Sequence, residues 1–152
     1  MTTTADAPAE LSGRLTADGH ILHQRVYFED TDFSGLVYHA RYLHFLERGR
    51  SDFLRLLGVH HHVLAADSLA FAVRRMTIEF EKPARIDDIV TILTRPEKVG
   101  GARVTLAQEL RCGDAILVKA VVEAALLTGE GRPARLPVKV REALSASFKQ
   151  SP

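Results

Sequence analysis

One cysteine, Cys112, stands among the 152 residues, so no disulfide can form within the chain. Such usage fits a reducing compartment, and Cys112 itself reads as a small residue of a strand. Excess charge is lacking too: 20 Lys and Arg face 19 Asp and Glu, a net charge of +1. That balance argues against nucleic acid or an anionic membrane as a partner, while leaving room for a local basic patch against a phosphorylated ligand. The opening MTTTADAPAELSGR has no basic region and no apolar core, so it is not a secretory signal. The longest apolar stretch, Ala120 to Leu127, is broken by Glu123 and is far too short to cross a bilayer. No cysteine cluster and no HExxH supplies a metal site, and an Asp30/Asp32 pair lacks the further ligands a metal needs. The expectation is a soluble, cytoplasmic protein without a metal.

What is present suits one globular domain. Hydrophobic residues make up 46% of the chain, enough for a real core at this length. Residues 1–18, rich in Thr, Ala, Pro and Asp, read as a disordered tail, residues 19–146 as the domain, and residues 147–152 as a second tail.

The pattern begins with strand-like alternation in HILHQRVYFE. From His39 to Leu57 the period becomes helical: Tyr42, Leu46, Gly49, Phe53 and Leu57 share one apolar face. Gly58 is placed to end this helix. Gly49 inside it costs about 1 kcal/mol relative to Ala, which a strand passing close to the helix would explain. Four further segments read as strands: AFAVRRMTIEFE, DIVTILTRPEKV, ARVTLAQELRC and AILVKAVVEAALLT. In the first, Ala72, Met76, Ile78 and Phe80 fall on one face. Gly100-Gly101 and Gly113-Asp114 supply tight turns. The expected architecture is α+β: an antiparallel sheet of about five strands that buries the apolar face of one long helix.

Between the first strand and the helix lies EDTDFSGLVYH. An aspartate there can serve as nucleophile or general base. Unpaired backbone N–H groups at the start of the helix can stabilise a developing oxyanion. Gly35 lets the backbone approach a ligand without a Cβ in the way. Asp32 taken alone reads more readily as a helix cap than as a catalyst, and His39 taken alone as a structural histidine. His60, His61 and His62 read as a solvated loop.

The segment RVYFEDTDFSGLVYHARYLHFLERGR, residues 25–50, resembles the hotdog-fold thioesterases of the 4-hydroxybenzoyl-CoA thioesterase family, and within them the YbgC-like branch. The match is carried by Phe28, Asp30, Thr31, Asp32, Gly35, Val37, Tyr38, His39, Tyr42, Glu47, Arg48 and Arg50. VRRMTIEFEKPARIDD and PARLP extend it, so that it covers about residues 20 to 146. The resemblance implies a hotdog fold, a curved sheet wrapped around a central helix. It implies hydrolysis of an acyl-CoA to a free acid and CoA without a cofactor. It makes Asp32 the catalytic carboxylate and His39 the donor to the carbonyl, with Gly35, Tyr38 and Phe28 contacting substrate. Arg74 is a candidate for the CoA phosphates, and Glu47 a secondary site residue that serves as nucleophile in another hotdog branch. Close relatives often carry Tyr where this chain has Phe28, so a hydroxyl role there does not carry over. The resemblance also implies a homodimer or homotetramer with sites between subunits, and acyl carrier protein or the Tol-Pal envelope complex at the inner membrane as further partners. An aryl-CoA thioesterase and a non-catalytic acyl-CoA-binding module are the alternatives.

Overall fold

The computed structural model describes residues 10–149. Six strands form one antiparallel sheet: β1 (Arg14–Thr16), β2 (Gly19–Arg25), β3 (Leu69–Phe80), β4 (Ile89–Val99), β5 (Arg103–Cys112) and β6 (Ala115–Thr128). Their spatial order is β1-β2-β4-β5-β6-β3, so β1 and β3 are the edges. Three helices accompany them: α1 (Arg41–Leu56), α2 (His61–Ala66) and α3 (Val138–Lys149). The fold expected from the resemblance, a hotdog sheet with one long helix, is the one found.

α1 forms where the helical period was read. Its buried residues are Tyr42, Phe45, Leu46, Gly49, Phe53 and Leu54, which fall on one face at helical spacing. The helix lies against β2 and β4, with Tyr42, Phe45 and Leu46 in a core with Ile92, Leu110 and Val122, and Phe53 and Leu54 in a second cluster with Val104 and Leu126. The helix ends as Gly58 foretold. Gly58, at φ 84°, donates to the Arg55 carbonyl, and Val59 N–H donates to that of Leu54 at 2.8 Å. This is a Schellman closure, sealed by burial of Leu54 and Val59 in one cluster.

Gly49 is where helix and sheet meet most closely. A Cβ there would lie 2.5 Å from Ile92 Cγ2 and 3.0 Å from Thr94 Oγ1. Beside it, buried Gln108 donates to the Leu46 carbonyl at 2.8 Å and to Thr94 Oγ1 at 2.9 Å. Arg50 donates to Gln108 Oε1 at 3.1 Å, so the amide is satisfied at both ends.

Four expectations need correction. The sheet has six strands rather than five, because Arg14–Thr16, inside the segment read as a tail, folds back on β2 through a tight turn. Thr16 Oγ1 donates to the Gly19 carbonyl there, and His20 Nε2 meets the Ser12 carbonyl at 2.6 Å. α3 runs beyond the expected boundary at residue 146, since Leu136, Val140 and Leu144 at helical spacing bury against Phe53, Val104 and Leu126. His61 and His62 begin the short helix α2 rather than sitting in a loop. On β3, an irregularity between Val73 and Arg75 breaks the alternation. Phe71 and Val73, rather than Ala72, therefore share the face of Met76, Ile78 and Phe80. Residues 1–9 and 150–152 of the expected tails lie outside the described residues.

Candidate active site

The segment between β2 and α1 is held at both ends. Val26 exchanges backbone hydrogen bonds with Asp87 and Asp88, which pins the exit of β2 to the turn before β4. A single 3-10 turn, Phe28–Asp30, follows. Asp30 is buried and turns its carboxylate inward, where Oδ2 accepts from Tyr27 N–H at 2.9 Å and Oδ1 accepts from Arg41 Nε at 2.7 Å. The same aspartate's carbonyl accepts from Tyr38 N–H at 3.0 Å. One buried residue thus ties together both ends of the loop and the first residue of α1. Asp30 is therefore buried and held by Arg41, while the Asp32 side chain is exposed.

Asp32 to Gly35 make a tight turn. Gly35 N–H donates to the Asp32 carbonyl at 3.1 Å, and Asp32 N–H donates to that of Leu36 at 2.9 Å. Gly35 sits at φ 79°, in the left-handed region, and a Cβ there would meet nothing within 4 Å. Its role in the fold is therefore conformational, to close the turn, rather than relief of crowding. The turn rests on residues 84–86: Val37 N–H donates to the Ala84 carbonyl and Ile86 N–H to that of Gly35. Tyr42 Oη, reaching from α1, accepts from Ala84 N–H at 2.9 Å.

The Asp32 side chain is exposed. Its Oδ1 accepts from Ser34 N–H at 2.8 Å and from the Ser34 hydroxyl. Those two bonds, the hydroxyl first, hold the carboxyl below its ordinary range and keep it ionised. Two clefts meet at this residue. One, of about 390 Å³, is lined by Asp32, Tyr38, His39, Tyr42, Phe80 and Lys82. The other, of about 640 Å³, is lined by Asp32, Phe28, Phe33, Gly35, Tyr38 and Ile86. In the first, the His39 ring lies 4.7 Å from that of Tyr38 and 6.4 Å, edge-on, from that of Phe80. α1 begins at Arg41 with Ala40 as its cap, two residues later than expected. The His39 N–H meets no acceptor among the described residues.

Five of the residues singled out from the sequence therefore converge: Asp32, His39, Gly35, Tyr38 and Phe28. Two do not. Glu47 lies two turns into α1, where Ser51 Oγ donates to its Oε1 at 2.6 Å. Arg74 lies at the irregularity in β3, six residues from Phe80, or roughly 20 Å at strand rise. Its Nη1 is 3.4 Å from Glu123 Oε1, an oxygen it shares with Arg103 at 3.3 Å. Sequence reasoning passed over Ser34, Phe33, Phe80, Lys82 and Ile86. Ser34 carried a signal, since a hydroxyl two residues after an aspartate is a common turn partner. Phe80 and Lys82 carried none, because β3 reaches the loop only through the sheet.

A family model described as the thioesterase superfamily matches residues 34–119. The acyl-CoA thioesterase YbgC of Haemophilus influenzae is 40% identical over 121 residues, 78% of this chain and 89% of that protein. The acyl-CoA thioester hydrolase YbgC of Escherichia coli O6:H1 is 38% identical over 131 residues, 83% of this chain and 92% of that protein. A crystal structure described as a probable thioesterase from Bartonella henselae is 51% identical, with a TM-score of 0.76, covering 78% of this chain and 98% of that one. Among the described residues, no helix is long and apolar enough to cross a membrane.

Proposed function

The chain belongs to the thioesterase superfamily and to its YbgC-like branch, and from that membership we propose that it hydrolyses acyl-CoA thioesters to a carboxylic acid and CoA, with Asp32 as the acting carboxylate. One observation carries the assignment of Asp32. An exposed, ionised carboxylate and an uncommitted backbone N–H, that of His39, border the same cleft. A thioester needs one group to deliver the new bond to its carbonyl carbon and another to take up the charge on its oxygen. Asp32 supplies the first, attacking directly or removing a proton from water. His39 N–H supplies the second. A single donor of this kind is worth about 10²–10³ in rate. The thiolate of CoA leaves as the carbonyl reforms. If Asp32 attacks, the resulting anhydride is opened by water, which restores the carboxylate. An acyl carrier protein presents the same thioester on the same arm and is a second substrate to test. CoA esters belong to the cytoplasm, where the enzyme is proposed to act.

We also propose that two copies pair through β3. This edge strand is 12 residues long, and Phe71, Val73, Met76, Ile78 and Phe80 lie along one face of it, none of them fully buried. A long apolar edge of this kind invites a second strand. Phe80 belongs to the cleft, so a partner on β3 would close the site.

The test is release of free thiol from acetyl-, octanoyl-, palmitoyl- and 4-hydroxybenzoyl-CoA. Asp32→Asn lowers turnover by about 10³-fold or more while the melting temperature stays within a few degrees. Absence of turnover on every ester by the wild-type protein defeats the reading. A variant that keeps most of its rate moves the chemistry to another carboxylate.

A further inference from the structure

Tyr42 is the second residue of α1, and its side chain is buried. The ring packs on that of Phe80 at 5.6 Å and edge-on against that of Phe45 at 6.4 Å. Phenylalanine would serve those contacts as well. The hydroxyl makes a separate one, accepting from Ala84 N–H at 2.9 Å. Ala84 is fully buried, so its N–H depends on that oxygen.

Residues 84–86 form a ledge against the reacting loop. The Ala84 carbonyl accepts from Val37 N–H at 2.9 Å, Leu36 and Arg85 pair as an antiparallel bridge, and Ile86 N–H donates to the Gly35 carbonyl at 3.1 Å. The Leu36 carbonyl in turn accepts from Asp32 N–H, and His39 follows Val37 by two residues. Both reacting groups are thus carried by backbone that rests on this ledge. Among the described residues, the Tyr42 contact is the hydrogen bond that joins the ledge to α1. Arg41, its neighbour, reaches Asp30 instead, because successive helical side chains diverge by about 100°. The helix therefore braces the loop at two separate points.

We propose that Tyr42 is a positioning residue for the thioester reaction: its hydroxyl fixes the ledge against α1, and with it the separation of the Asp32 carboxylate from the His39 N–H. This rests on the reading of those two groups as the reacting pair. The oxygen takes no part in the bond changes. Burial raises the phenol's pKa above its ordinary value, so the hydroxyl stays neutral across the working range.

The experiment measures kcat and KM of Tyr42→Phe on acetyl-, octanoyl- and palmitoyl-CoA across the acid limb, well below the melting temperature. The variant keeps the ring and loses the oxygen. Its kcat falls by between about tenfold and 10²-fold, the loss that a displacement within 1 Å brings. KM stays within about twofold, because the lost geometry matters in the transition state. The acid limb does not move, since Asp32 and Ser34 shift together with their turn. Val122→Ala, which removes methyl groups from the same core cluster, lowers the melting temperature and leaves kcat alone. A Tyr42→Phe protein that melts lower yet keeps its kcat overturns the proposal, as does an equal loss of kcat in Val122→Ala. A displaced acid limb also overturns it, because the hydroxyl would then act on the ionisation of Asp32. Asp32→Asn in the same assay separates the two readings. Loss there with full rate in Tyr42→Phe removes this proposal alone. Full rate in Asp32→Asn, or no turnover by the wild-type protein, removes both.

Discussion

Arg41, the first residue of α1, donates from Nε to the buried carboxylate of Asp30 at 2.7 Å. That contact joins the loop that carries Asp32 to the helix start that carries His39. Asp30→Asn keeps an acceptor but removes the charge that holds Arg41. Because a displacement near 1 Å at a reacting centre can cost about 10²-fold, kcat/KM should fall by roughly that factor. Steady-state kinetics beside a melting curve read the effect. Kinetics equal to wild type would mean that the loop keeps its geometry without the ion pair.

The acid limb of activity should report Ser34. The reaction needs Asp32 ionised, so kcat/KM falls as that carboxyl protonates. Ser34 holds protonation below the ordinary carboxylate range, chiefly through its hydroxyl. The wild-type limb therefore lies below pH of about 4, the usual aspartate value. Ser34→Ala removes the hydroxyl and keeps the N–H, so the limb moves to higher pH. A pH profile of kcat/KM for both proteins decides it, and coincident limbs would detach Ser34 from the chemistry.

Gly49→Ala should destabilise the protein despite alanine's better helix propensity. The new Cβ would press on Ile92 Cγ2 at 2.5 Å, and a β-branched side chain in a strand yields little. Overpacking of this kind costs about 1–3 kcal/mol, and the propensity gain of about 1 kcal/mol recovers only part. For a chain this long each kcal/mol moves the melting temperature by roughly 2–4 °C. A melt at or above wild type would mean that sheet and helix can separate there without cost.

His20 should make stability fall in mild acid. Its ring is buried, Nε2 is bound to the Ser12 carbonyl, and Nδ1 has no partner among the described residues. Burial lowers its pKa below the ordinary 6.5, with the Ser12 carbonyl and Asp52 of α1 opposing that shift. The unfolded chain then takes up a proton before the folded one does. Stability is lost as pH falls below about 6.5 and levels off once the folded imidazole protonates too. Thermal melts from pH 7.5 to 5 measure the slope. His20→Gln should flatten it relative to wild type, and an unchanged slope would assign the effect to other histidines.

Much of this was legible in the residues. The helical period of α1, the alternation of β2 and β5 and the nearly unbroken apolar run of β6 report local burial, which a sequence displays directly. Gly49 pointed to a close approach because a strand beside the helix offsets the cost of a glycine inside its apolar face, and Ile92 and Thr94 are the residues that come close. The turn at Asp32 and Gly35 was visible through its residue types. The tertiary structure alone decided what depends on contacts between distant positions. Strand order carries Phe80 and Lys82 to Asp32, although they follow it by about fifty residues in the chain. Arg74 meets Glu123, 49 residues away, at 3.4 Å across the β3–β6 pairing, a contact the sequence does not display. β1 and α3 were missed because each is too short or too mixed to declare itself, and forms where the rest of the fold offers a surface. Periodicity shows which face of an element is buried. Which element buries it is settled by the packing of the whole chain.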